Sequence, residues 1–63
     1  MRRYRVYSGT DEVLFDGYTL PEAQAYVNRE FHAGRLNAYR IVEYPEYSGL
    51  GRVVEHLDSQ EMP

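Results

Sequence analysis

Only one stretch of this chain has helical periodicity, and it lies between two strand-like stretches on either side. It opens on Thr19-Leu20-Pro21-Glu22, the S/T-x-x-E pattern of a capping box. The Thr19 side chain is placed to accept from the Glu22 amide. Pro21 falls in the first turn, where its missing N–H removes nothing. Leu20, Ala23, Val27 and Phe31 then form one apolar stripe, with Tyr18 placed to staple onto Ala23. Gly34 follows as a left-handed terminator, and the spacing predicts a helix over 20–33. One helix cannot bury its stripe against itself. It needs a sheet.

The flanking segments supply that sheet. In residues 3–8, Tyr4, Val6 and Ser8 share one face and Arg3, Arg5 and Tyr7 the other. A turn follows, in which Gly9 is expected to take positive φ and Asp11 to bond local backbone. Residues 12–16 are the second strand, with Val13 and Phe15 facing the core together. Residues 38–44 are the third: Tyr39, Ile41 and Glu43 share one face, Arg40, Val42 and Tyr44 the other, and Pro45 stops the pairing. Gly49 and Gly51 read as hinges in a loop, and residues 52–57 form a fourth strand, with Val53 and Leu57 directed to the core. The expected fold class is α+β, a two-layer ββαββ with one helix on a small, mostly antiparallel sheet. Residues 1–57 form the single domain and 58–63 an acidic, frayed tail. Either edge of the two hairpins can join, so the strand order stays open.

At 63 residues the chain buries only about 60% of its unfolded surface, for a stability of about 3–9 kcal/mol. Without cysteine it has no disulfide, thiolate metal site or thiol nucleophile. Its apolar runs reach three residues, as in Val13-Leu14-Phe15, so no membrane span is expected and the cytoplasm is the default location. His32 and His56 lack the spacing of a metal site. Ser8, Ser48 and Ser59 are turn or tail residues, and Gly49-Leu50-Gly51 lacks the strand-to-helix context of a phosphate loop. No enzyme activity, metal or cofactor is expected.

The helix-free face is the feature that suggests function. It shows Arg3, Arg5, Tyr7, Leu14, Arg40, Val42, Tyr44, Val54 and His56, in a chain of net charge −3. Arg2, Arg3 and Arg5 lie within the first nine residues without an acid, whereas from Glu43 onward five carboxylates face Arg52 alone. Tyr and Arg are enriched at interface hot spots. The candidate partner-binding residues are therefore Arg3, Arg5, Tyr7, Arg40 and Tyr44, with Tyr47 and Arg52 at the rim. A simpler reading has Arg3 and Arg5 neutralising Glu43, Glu55 or the tail. One protein partner ranks first. Nucleic acid ranks second, because the net charge is negative and lysine is absent. A homodimer is the third reading, since a small core gains much from self-association.

The helix start Tyr18-Thr19-Leu20-Pro21-Glu22-Ala23 and the strand Ala38-Tyr39-Arg40-Ile41-Val42-Glu43 also carry a resemblance, over residues 3–44. The chain is similar there to small proteins of GC-rich actinobacteria and their bacteriophages. Those run from a strand through a T-x-E-E-A helix start to a Y-x-I-x-E strand. Here Leu20-Pro21-Glu22-Ala23 stands where two acidic residues are more usual. All seven basic residues are arginine, as GC-rich codons favour. The resemblance implies an accessory protein that binds one host or phage protein without catalysis.

Overall fold

A computed structural model describes residues 2–46 and 49–58. The elements run β1 (Arg3–Ser8), β2 (Val13–Gly17), α1 (Leu20–His32), β3 (Tyr39–Tyr44) and β4 (Arg52–Leu57). All strand pairs are antiparallel, in the order β2-β1-β3-β4, with the helix on one face. The α+β, two-layer ββαββ reading holds. Residues 59–63 of the tail expected at 58–63, and Tyr47, lie outside the described residues.

Local chemistry accounts for the helix. Thr19 caps it in extended geometry, accepting from the Glu22 amide at 3.3 Å. Its hydroxyl also donates to Glu22 Oε1 at 2.9 Å, so the acid bonds the side chain of the cap. At the other end Gly34 takes φ +74. The Gly34 amide donates to Phe31 O and the Arg35 amide to Glu30 O, which closes a Schellman motif. The Arg35 guanidinium then grips both Glu30 oxygens, at 3.0 and 2.8 Å. The helix thus ends at His32 with Ala33 as cap, one residue before the predicted end. Thr19→Ala is expected to cost about 1 kcal/mol in denaturant unfolding. A loss within error of zero would mean that the cap contributes nothing.

Tyr4, Val6, Ala23, Val27, Leu36 and Ile41 form the core, and Val6 and Ile41, paired across β1 and β3, are fully buried. Three expected core positions differ. Phe31 sits at the end of the stripe and stays 42% exposed, while Leu36 folds back under the helix and is buried. Val13 is 53% and Val53 49% exposed, and both have the same cause. In β2, Val6 pairs with Phe15 but Tyr7 with Val13, so Leu14 is an extra residue. In β4, Ile41 pairs with Glu55 but Val42 with Val53, so Val54 is extra. A bulge reverses the alternation. Leu14 and Val54 therefore pack on the core, and Val13 and Val53 lie on the open face, the reverse of simple alternation. The β1–β2 turn also differs: Asp11, not Gly9, takes the positive φ, at 67°. Ser8 Oγ accepts from the amides of Thr10 and Glu12 and orders that turn. Tyr18, expected to staple, remains exposed.

On the helix side of the sheet, Glu43 is buried with its carboxylate satisfied. Tyr4 donates to it at 2.7 Å, and Arg52 and Arg2 lie at 3.1 and 3.7 Å. The Tyr4 hydrogen bond, aided by both arginines, holds Glu43 below the usual carboxylate range. Its contribution is present above the unfolded pKa and is lost as pH falls through the folded one.

Tyr39 behaves in the opposite way. Burial and its 2.8 Å hydrogen bond to Glu55 push its phenol up from 10.0 to about 12. A raised folded pKa gives stability that is full below the unfolded value and lost as pH climbs through the folded one. Stability is therefore expected to decline between pH 10.0 and about 12. Tyr39→Phe should flatten that decline in unfolding curves taken across the range. An unchanged slope would assign the decline to other groups.

Candidate functional site

The open face is laid out in rows set by strand register. Val13, Tyr7, Arg40 and His56 lie side by side across the sheet. Asp16, Arg5, Val42 and Val53 form the next row, and Arg3 with Tyr44 the third. Five of the sequence-derived candidates, Arg3, Arg5, Tyr7, Arg40 and Tyr44, are thus brought together. Arg52 is not among them. In register with Glu43, it turns to the helix side and pairs there.

The side chains within the rows are interlocked. The Tyr7 and Tyr44 hydroxyls are 2.6 Å apart. The Arg40 guanidinium lies 4.7 Å from the Tyr7 ring centre, and that of Arg5 5.3 Å from Tyr44, both in cation–π range. Arg5 Nη1 also reaches the Tyr7 hydroxyl at 3.4 Å. The hydrogen bond with Tyr44 draws the Tyr7 phenol below its ordinary value; burial opposes this, and Arg5 and Arg40 reinforce it. The same bond raises Tyr44. The two phenols thus titrate as a pair.

Two carboxylates that the sequence reading did not pair with these arginines hold them. Asp16 Oδ2 accepts from both Arg3 and Arg5, and Asp11 pairs with Arg40. Burial raises the Asp16 carboxyl, but the two guanidiniums outweigh it and the net shift is downward. The simpler reading had Arg3 and Arg5 neutralising Glu43, Glu55 or the tail; Glu43 and Glu55 share the helix side with Tyr4 and Ile41, and the two arginines meet Asp16 of β2 on the open face. The one sequence signal for these acids is their position, at the turn and end of the first hairpin.

Gly51, the residue before β4, lies against this face. A Cβ on Gly51 would run into Val42 Cγ1 and would lie 2.7 Å from Tyr44 Cε1. Close backbone approach therefore explains Gly51, and Val42 is buried beneath it on an otherwise open surface. On the opposite side, α1 and β4 leave an open groove between Phe31, Val27 and Leu57, with Tyr39 and Glu55 along it. Among the described residues, no helix is long and apolar enough to cross a membrane. Comparison with family models, curated proteins and solved structures finds no match.

Proposed function

We propose that this chain is a non-enzymatic protein-binding module that engages one protein partner through its open sheet face. The observation that carries this reading is the interlock of Tyr7 and Tyr44 at 2.6 Å under Arg40 and Arg5. Side chains already held in place lose little freedom on binding, and Tyr and Arg are the residues that dominate interface energetics. A partner drawn from a bacterial host or its phage, met in the cytoplasm, follows from the resemblance over residues 3–44. The net charge of −3 and the absence of lysine weaken the case for a nucleic-acid backbone as the partner.

The test is affinity capture with and without nuclease, comparing wild type with Arg3→Ala and Arg40→Ala. A nuclease-resistant protein retained by wild type and lost from both variants is the expected result. Retention by both variants would remove this face from consideration. Capture that disappears with nuclease would favour nucleic acid, and light scattering on dilution separates a homodimer from both.

A further inference from the structure

Resting on that reading, we infer that the open face takes an acidic, extended segment of the partner, with a carboxylate seated on Arg3 and Arg5. The two guanidiniums converge on a single oxygen, Asp16 Oδ2. One carboxylate against two cations leaves a net positive charge, and Arg3 is half exposed beside it. The donors also outnumber the acceptors. Each guanidinium offers five N–H groups, of which Arg3 and Arg5 are seen to spend only a few, on Asp16 Oδ2 and the Tyr7 hydroxyl. A second carboxylate would complete this cluster, and a planar, bidentate fit favours carboxylate at arginine. The whole chain is −3, so the attraction for an acid is confined to this patch, where two guanidiniums face one carboxylate, and it falls with added salt.

The size of the face favours a segment over a globular surface. Four strands about 4.8 Å apart and some five residues long present only about 300 Å², well under the 800 Å² or so of a standard partner surface. An extended chain turns alternate residues to the same side, about 7 Å apart. A segment along β1 with its acid on Arg3 and Arg5 therefore places its second residue onward over the row of Tyr7 and the exposed Val13. The recognised pattern is an acid, any residue, then an apolar side chain.

The experiment is an amide-shift NMR titration with a short blocked peptide carrying Glu and Leu two residues apart. Parallel titrations use the Gln-for-Glu peptide and oligothymidylate. The Glu peptide is expected to shift amides of β1 and β3, and the Gln peptide to bind about tenfold more weakly. Arg3→Gln should weaken the Glu peptide about tenfold, whereas Asp16→Asn, which frees both guanidiniums, should tighten it several-fold. Opposite changes in two variants cannot both arise from partial unfolding. Equal binding of the Gln peptide at the same amides would overturn the carboxylate inference and leave the protein-binding face standing. Shifts confined to α1 would overturn both. No shift at millimolar peptide, or saturation by oligothymidylate alone, would also overturn the acidic segment.

Discussion

Ile41→Ala is expected to remove most of the stability of this protein. Ile41 is fully buried at the centre of β3, in register with the equally buried Val6. Truncating a buried isoleucine costs about 2–5 kcal/mol, through lost transfer free energy and the cavity left behind. The whole domain has only about 3–9 kcal/mol to lose. Repacking offers little relief, because the core is small and Ala23 and Val27 are held by their helix. Urea unfolding followed by circular dichroism should show a much lower midpoint, or no folded baseline. Ile41→Val should lose about 0.5–1.5 kcal/mol. A wild-type midpoint for Ile41→Ala would mean that the core has been placed wrongly.

Gly51→Ala is the second large effect, and it links stability to the site. The added methyl meets Val42 Cγ1, on a stiff β-branched side chain, and the Tyr44 ring. Overpacking of this kind costs about 1–3 kcal/mol, or about 5–20 °C in a domain this small. If Gly51 moves away to relieve the clash, Val42 is uncovered. If Tyr44 swings away, its hydrogen bond to Tyr7 breaks and the Tyr7 phenol loses the main cause of its downward shift. Ultraviolet titration of the tyrosines should then show the earliest phenol moving to higher pH as the melting temperature falls. A variant as stable as wild type, with the same titration, would show that Gly51 does not lie against Val42 and Tyr44.

Most of the architecture was legible because its signals are local. Thr19, Pro21, Glu22 and Gly34 bracket the helix through hydrogen bonds that span a few residues. Period-two alternation sorted β1 and β3 correctly, since neither strand carries an extra residue. Alternation failed at Leu14 and Val54, where a bulge depends on the partner strand and leaves no local mark. Arg52 was misplaced for a related reason. Its face is set by pairing with Glu43 across β3 and β4, not by its nearness to the loop. The site was half visible. Its arginines and tyrosines were found by parity alone, but Asp16 and Asp11 become their partners only once β2, β1 and β3 stand side by side.

The account rests on the helix-free face being the surface that meets a partner. Hydrogen exchange of the chain alone and with its captured partner tests this most directly. The predicted result is added protection at the amides of β1 and β3, around Arg5, Tyr7, Arg40 and Tyr44, with the amides of α1 unchanged. Protection confined to α1 and β4, along the groove beside Phe31 and Leu57, would contradict it.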